Sequence, residues 1–144
     1  MAKPTTPLLT VDCVVVDEDG KILLIRRRNP PFAGLLALPG GFVDKGETVE
    51  AACRREVQEE TGVELGRLQL VGVYSRPDRD PRGHTCSVVF IGRVRRAKAH
   101  AGDDAASVEW RHRWKKEELA FDHHRVLADA RLMLADANTK ARAR

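Results

Sequence analysis

The sequence predicts an α/β fold in which a mixed β-sheet lies between helices. Several short runs are rich in β-branched and other apolar residues and are bounded by turn residues, as strands usually are. Two longer segments, beginning near residues 49 and 122, instead repeat their apolar residues at helical spacing. Strands interspersed with two helices favour a sheet that is covered on both faces. A length of 144 residues is sufficient for one domain with a single core.

The first predicted elements form a hairpin. Leu8–Val16 is apolar and β-branched, so we predict a buried strand there and a second strand over residues 21–26. Between them, Asp19-Gly20 is a strong turn signal. The residues that follow, Asn29-Pro30-Pro31, interrupt regular structure, so we expect residues 32–36 to form a loop or a short extended piece.

The later elements are three strands and a second helix. Leu68–Tyr74 and residues 85–94 are predicted to be long strands, and residues 108–114 a further strand. Residues 122–137 are predicted to form an amphipathic helix. Its apolar stripe consists of Val126, Leu127, Ala130, Met133 and Leu134.

The first helix has an unusual inward face. We predict that it begins after Thr48, whose hydroxyl can accept a hydrogen bond from a first-turn amide, and ends at Gly62, which tolerates a positive φ. At about 100° per residue, one stripe combines apolar residues with two carboxylates, namely Val49, Ala52, Cys53, Glu56, Val57 and Glu60. Glu59 lies beside this stripe. Acidic side chains therefore occupy positions where a packed helix normally has apolar ones.

The position of these carboxylates indicates a metal site. Like charges one turn apart destabilise a helix by roughly 0.2–0.5 kcal/mol, and burying them without a partner costs far more. A bound divalent cation removes both costs, and all-oxygen ligands favour Mg²⁺ or, as a substitute, Mn²⁺. The alternative interpretation is a glutamate-rich surface helix, which is common.

The spacing of the fixed residues around this helix resembles the signature of the Nudix hydrolases. The matching residues are Gly41, Glu47, Arg55-Glu56-Val57, Glu59-Glu60 and Gly62-Val63. The resemblance implies a single Nudix domain over residues 1–144, with a core at about residues 8–135, a basic C-terminal tail and the α/β/α sandwich of that family. It also implies a Mg²⁺-dependent enzyme that splits a pyrophosphate joined to a nucleoside and to another group.

The resemblance also implies roles for individual residues. Glu56 and Glu60 would be direct metal ligands, Glu59 a ligand or a base that holds water, and the backbone carbonyl of Gly40 a further ligand. Glu56 and Glu59 would thus be catalytic as well as metal-binding. The resemblance assigns a structural ion pair to Glu47 and Arg55.

The general base is harder to assign, because family members often recruit a carboxylate from a loop outside the signature. Asp104, with Asp103 as the second choice, fits this role because it lies in an Ala-Gly-Asp-Asp-Ala-Ala loop ahead of the last predicted strand. The alternative is a plain solvent-exposed turn, since Gly and Asp are common turn residues.

Two further stretches resemble the ADP-ribose pyrophosphatase members of the family. They are RDPRGHTCSVVF from Arg79 and LAFDHHRVLADA from Leu119. Arg79, Arg82 and His84 are therefore candidates for binding phosphates or a ribose, Arg in a bidentate manner. The alternative is a polar link whose ends are fixed by Asp80 and Thr85. Phe32, Tyr74 and Phe121 are candidates for stacking on a base, with core packing as the alternative. His123 and His124 are expected to cap or pack the helix.

The favoured function is Mg²⁺-dependent cleavage of ADP-ribose to AMP and ribose 5-phosphate. The enzymatic alternative is hydrolysis of oxidised or ordinary (deoxy)nucleoside triphosphates, or of dinucleoside polyphosphates. The other alternative is a non-catalytic domain that senses ADP-ribose. NADH cleavage is disfavoured because the zinc-binding cysteines of that group are missing. One feature departs from the pattern of the family. The basic residues 111–116 (RHRWKK) stand where family members have an apolar, proline-containing linker.

Composition limits the partners and the compartment. The formal net charge of +4 favours anionic ligands, but no contiguous basic face interleaved with aromatics predicts specific nucleic-acid binding. No apolar run approaches the length of a membrane span, and the first residues do not resemble a signal peptide. Three widely spaced cysteines predict neither a disulfide framework nor a zinc ribbon, so we expect a cytoplasmic protein. The small-molecule partner is expected to be a nucleotide; a homodimer is left open, with the N-terminal strand pairing across it.

Overall fold

The computed structural model describes residues 3–95, 99, 101–102 and 105–142, with only the backbone for residues 137–142. In chain order the elements are β1 (Leu8–Val16), β2 (Ile22–Arg27), β3 (Leu36–Ala37), β4 (Gly40–Phe42), α1 (Val49–Thr61), β5 (Leu68–Tyr74), β6 (Thr85–Arg93), β7 (Ala105–Arg111), a 3-10 turn (Trp114–Lys116) and α2 (His123–Arg142).

The described strands form one mixed sheet. Its central order is β3-β2-β1-β6-β5, with β4 paired to β1 and β7 paired to β2. β1 runs parallel to β6 along its whole length, whereas its pairings with β2 and β4 and the pairing of β5 with β6 are antiparallel. The turn at Asp19-Gly20 joins β1 to β2 as predicted, because Val16 pairs with Ile22.

The sheet separates two apolar layers, each closed by a helix. On one face, Val11 and Cys13 of β1 pack with Ala52 and Val57 of α1. On the other face, the alternating residue Val14 packs into the cluster that contains residues of α2. The helix-sheet-helix arrangement that the sequence predicts is therefore confirmed.

Helix α1 begins and ends where its sequence predicts. The Thr48 hydroxyl accepts a hydrogen bond from the backbone N–H of Ala51, and Gly62 ends the helix with φ 73°. Its buried residues include Cys53 and Val57 and also Glu60, so the mixed apolar and acidic stripe does face inward.

Two expectations need correction, and one short strand was not predicted. The last strand is Ala105–Arg111 rather than residues 108–114, and Trp114 lies buried in the 3-10 turn beyond it. The glycine-rich stretch before α1 contains strand β4, which pairs with β1. The proposed pairing of β1 across a dimer is wrong because β1 lies inside the sheet, with its backbone paired to β6, β2 and β4. No described helix is long and apolar enough to cross a membrane.

Candidate active site

Two glycines of β4 bring the backbone into close contact with β1 and α1. A Cβ atom on Gly40 would lie 2.1 Å from the carbonyl oxygen of Val11, and one on Gly41 would lie 2.5 Å from the carboxyl carbon of Glu56. The N–H of Gly40 donates to Oε1 of Glu60 at 3.3 Å. Only glycine fits this approach, and it places the predicted Gly40 ligand beside Glu56 and Glu60.

Arg55 is the cation that balances the acidic end of α1. Its guanidinium donates to Glu47 (2.7 and 2.9 Å), to Glu56 (2.9 Å) and to the carbonyl oxygen of Phe42 (3.0 Å). The hydrogen bond from Arg55 lowers the pKa of Glu47 to about 2. The predicted Glu47–Arg55 ion pair is thus present, and it fixes the loop before α1 against the helix.

Glu60 is a buried carboxylate without enough partners. It is 8% exposed, and among the described residues its Oε2 has no hydrogen-bond partner. Burial, and then the nearby charge of Glu56, raise the pKa of Glu60 to about 9. Burial also raises the pKa of Glu56. An orphaned buried carboxylate oxygen between a second carboxylate and a glycine backbone is a donor set that fits a divalent cation.

Glu59 points elsewhere in the structure. Its side chain is 59% exposed and lies 3.3 Å from Nη1 of Arg55. Among the described residues, the ligand oxygens of Glu56, Glu59 and Glu60 do not form a group within 4.8 Å of one another. The fold therefore brings Gly40, Glu56 and Glu60 together and leaves Glu59 at the margin.

A cleft of about 520 Å³ opens next to Glu56 and Glu60. Arg82 lies at its wall, where the guanidinium is held by Asp80 (3.1 and 2.8 Å) and stands 6.0 Å from the ring centre of Phe42 and 5.8 Å from that of Phe121. The Asp80 carboxylate is 5% exposed, so this pair is anchored in the protein while the Arg82 side chain remains 49% exposed. Arg82 is the predicted cation that the structure presents to the cleft.

Phe32 and Phe121 pack on each other, and Phe121 also packs against the core cluster that contains Ala37 and Ala120. Their ring centres are 4.9 Å apart in an edge-to-face arrangement. Both have positive φ angles, 61° and 54°, which is strained for a bulky residue and is often found at functional sites. Phe121 lines the cleft, whereas Phe32 is 37% exposed and is not among the described residues that line it.

Arg79 and His84 have internal partners. Arg79 is 5% exposed, forms two hydrogen bonds to Asp122 (3.0 and 2.7 Å) and donates to Thr85 at 2.8 Å. It lines the cleft, but these partners occupy most of its donors. His84 is exposed, lies 2.8 Å from the carbonyl oxygen of Ser75 and is not among the described residues that line the cleft.

Asp12 and Asp122 were not predicted to be site residues, and capping or packing was expected for His123. Asp12 accepts a hydrogen bond from Ser87 and lies 3.8 Å from Arg79. Burial, which outweighs these partners, raises its pKa to about 7. His123 is buried and accepts a hydrogen bond from the Leu38 N–H at 3.0 Å, and burial lowers its pKa to about 3. A lone carboxylate inside the apolar strand β1 was the signal that could have identified Asp12.

The loop before β7 is attached to the C-terminal end of α1. The N–H of Gly102 donates to the carbonyl oxygen of Glu60 at 2.9 Å, and that of Ala105 donates to Gly102 at 3.3 Å. The predicted base Asp104 and its alternative Asp103 lie outside the described residues. Gly102, which precedes them, is nevertheless bonded to the end of the helix that carries Glu60.

We expect Gly102→Ala to destabilise the protein by roughly 1–3 kcal/mol, because a Cβ there would lie 2.0 Å from the carbonyl oxygen of Glu59. Urea denaturation measures the change. Gly66→Ala is the matched control, since its Cβ would make only an ordinary contact at 3.5 Å. Equal stability of the two variants would contradict the close packing of this loop on α1.

The fold and the acidic cluster define the class of protein. A model of the NUDIX domain matches residues 6–136, and the chain therefore belongs to the NUDIX family. NUDIX hydrolases generally need divalent metal ions. The unpaired oxygen of Glu60 is consistent with that requirement.

Individual relatives refine the comparison. The chain is 51% identical to the ADP-ribose pyrophosphatase of Methanocaldococcus jannaschii, over 85% of this chain and 72% of that protein. A MutT/nudix family protein from Enterococcus faecalis matches with a TM-score of 0.86 and 33% identity, over 94% of this chain and 65% of the other. The NUDIX domain of Shewanella oneidensis NrtR, solved in complex with ADP ribose, matches with a TM-score of 0.84 and 31% identity, over 90% of each chain.

Proposed function

We propose that the protein hydrolyses ADP-ribose to AMP and ribose 5-phosphate in the presence of Mg²⁺. The observation that carries this proposal is the cleft with two carboxylates of raised pKa at one end and Arg82 at its wall. The 51% identity to an archaeal ADP-ribose pyrophosphatase favours this substrate over other nucleotides.

Glu56, Glu60 and the carbonyl of Gly40 would hold the metal ion, and Glu59 would join them as a further ligand or by holding water. Mg²⁺ is favoured by the all-oxygen donors, and Mn²⁺ is the substitute. When bound, such an ion neutralises charge on the pyrophosphate and lowers the pKa of water. Arg55, already bonded to Glu47 and Glu56, keeps these carboxylates in place.

The other end of the cleft would bind the organic part of the substrate. Arg82 can donate to a phosphate oxygen while Asp80 keeps its guanidinium oriented. Phe121, held by Phe32, offers an aromatic surface against which a base or ribose can pack. We assign Arg79 the role of securing the Arg82 segment to Asp122, the residue before α2, and His84 a position outside the cleft.

We assign Asp104 the role of accepting a proton from the attacking water as the pyrophosphate P–O bond breaks. Asp104→Asn is then expected to lower kcat by about 100-fold with little change in the Mg²⁺ concentration that gives half-maximal rate. Steady-state rates over a Mg²⁺ titration measure both quantities. Asp103→Asn is the matched control, and a loss confined to that variant would move the role to Asp103.

The substrate assignment is tested directly by incubating the protein with ADP-ribose, 8-oxo-dGTP, a dinucleoside polyphosphate and NADH, each with Mg²⁺. Chromatography of the products is expected to show AMP and ribose 5-phosphate formed at the highest kcat/KM. Faster turnover of another compound, with ADP-ribose left intact, would assign that compound instead.

A sensor of ADP-ribose is the second candidate, because the NUDIX domain of NrtR has been solved with that ligand. The two functions are separated by the fate of the ligand. An enzyme releases AMP, whereas a sensor binds ADP-ribose and returns it unchanged after hours with Mg²⁺. The intact set of Glu56, Glu59 and Glu60 favours the enzyme.

We expect Arg82→Gln to raise KM for ADP-ribose about tenfold with little effect on kcat, because a charged hydrogen bond to the substrate is lost. Arg76→Gln is the matched control. Arg76 pairs with Asp78 two residues after it, and Arg82 pairs with Asp80 two residues before it, but Arg76 does not line the cleft. Equal KM values for the two variants would remove Arg82 from substrate binding.

The remaining expectations belong to the same proposal. We propose a cytoplasmic location because the three cysteines are widely spaced along the sequence. No specific nucleic-acid partner is proposed. A homodimer would use the edge strand β5, where Leu70 and Val73 are 55% and 58% exposed, and light scattering measures it.

A further inference from the structure

A second cavity lies on the α2 side of the sheet. Its volume is about 530 Å³, which is close to that of the cleft and typical of small-molecule sites. None of the described residues that line it also lines the cleft. Its apolar part comes from β1, β2, α2 and the 3-10 turn, through Val14, Ile22, Trp114, Leu127, Ala130 and Leu134.

The rim of this cavity is cationic. Arg113, Lys115 and Lys116 come from the basic run at residues 111–116, and Arg131 comes from α2. Within the described part of the chain, these four side chains have no ion-pair partner. Asp19 is the only acidic residue among the described ones that line the cavity. Converging cations around a low-dielectric floor create a positive potential that attracts an anion.

Beside the cavity, Asp19 lies in a turn with Asp17 and Glu18, and carboxylate oxygens of the three are within 4.8 Å of one another. Among the described residues that line the cavity itself, four cations face the single carboxylate of Asp19. A ligand that carries both a negative charge and an apolar surface therefore complements this lining.

We propose that this cavity binds a small organic anion with an apolar body, that is, a phosphate or carboxylate attached to an aliphatic or aromatic group. The body lies against Trp114 and the aliphatic floor, and the anionic group lies at Arg113, Lys115, Lys116 and Arg131. This site gives a role to the basic run at residues 111–116, none of which is among the described residues that line the cleft.

Calorimetric titration tests the proposal with three probes: octyl phosphate, octanol and inorganic phosphate. Octyl phosphate is kept below the concentration at which it forms micelles. Octyl phosphate is expected to bind one site at least about tenfold more tightly than octanol or inorganic phosphate. Equal binding of octanol would indicate only an apolar surface, and equal binding of inorganic phosphate only a charge effect. Either result would overturn the proposal.

Two charge reversals locate the site. Arg131→Glu, at an exposed helix position, is expected to weaken octyl phosphate binding roughly fivefold to tenfold. Arg67→Glu is the matched control, since Arg67 is exposed and does not line the cavity. If Arg131→Glu and Arg67→Glu bind octyl phosphate with the same affinity, the assignment is overturned, whether that affinity equals the wild-type value or not.

One further measurement locates the bound ligand at Trp114, and another separates the possible sources of the anion. In Trp110→Phe, Trp114 is the only tryptophan, and its emission is expected to change when octyl phosphate is added. Vesicles of phosphatidylcholine with phosphatidylglycerol present the same chemistry as a lipid headgroup. Binding to these vesicles without any binding of free octyl phosphate would contradict a small-molecule site.

Discussion

Glu56→Gln is expected to lower kcat for ADP-ribose by at least about 100-fold while the protein remains folded. Replacing even a partner of a metal ligand usually costs 10- to 100-fold, so the loss of a ligand charge should cost no less. Glu56 is half-buried, lies against Gly41 and has its pKa raised by burial, so removing its charge does not weaken the metal-free fold.

A second readout separates metal binding from other effects of this change. Mg²⁺ is expected to raise the Tm of the wild-type protein, because a ligand that binds the folded state stabilises it, and to have little effect on Glu56→Gln. Glu50→Gln, which removes the same charge from an exposed position on the same helix, is the control. A Glu56→Gln protein with wild-type kcat at saturating Mg²⁺ would show that Glu56 is not a ligand.

The metal-free wild-type protein is expected to lose stability as the pH rises, and Glu60→Gln is expected to prevent most of that loss. The pKa of Glu60 is about 9 in the folded protein and 4.5 as a model value. The folded state therefore keeps a proton that the unfolded state releases. The stability this provides is complete below pH 4.5 and is lost progressively up to about pH 9, by at most about 1.4 kcal/mol per pH unit.

The most informative interval is pH 7 to 8. His123, with a pKa of about 3, affects stability only below its ordinary value of 6.5, and unfolded thiols ionise mainly above pH 8. Asp12, with a pKa of about 7, contributes a smaller loss to both proteins. In EDTA, we expect wild-type unfolding free energy to fall by about 1 kcal/mol over this interval, and that of Glu60→Gln to fall much less.

Urea denaturation at the two pH values, with EDTA present, measures this difference. Excess Mg²⁺ is expected to abolish the wild-type decline, because an ionised Glu60 then has a partner. Glu64→Gln, at an exposed position beyond α1, is the matched control. Parallel declines for wild type and Glu60→Gln would show that Glu60 is not the buried, protonated group.

Local sequence signals predicted α1 almost completely. A capping threonine, a terminal glycine and the 3.6-residue period depend only on neighbouring residues, so the limits at Thr48 and Gly62 were correct. The Glu47–Arg55 pair followed from a family resemblance and is present in the structure. The limits of β7 were wrong because its partner is β2, far away in the chain, and register across a sheet is not encoded locally.

The placement of the substrate-binding candidates depended on contacts between distant residues. Arg79 was a candidate for binding a phosphate or a ribose, but Asp122, 43 residues later, binds it inside the protein. Asp12 was overlooked because its partner Ser87 lies 75 residues away. A side chain's exposure, unlike its helical phase, depends on which distant segment packs over it.

By itself, the sequence determined the fold class, the family resemblance and the inward position of Glu56 and Glu60, because each follows from composition, spacing or the geometry of a single helix. Only the tertiary structure decided that Arg82 rather than His84 faces the cleft and that the basic run lines a separate cavity. Those outcomes depend on how strands and helices pack, where small differences in burial and pairing select one side-chain direction over another.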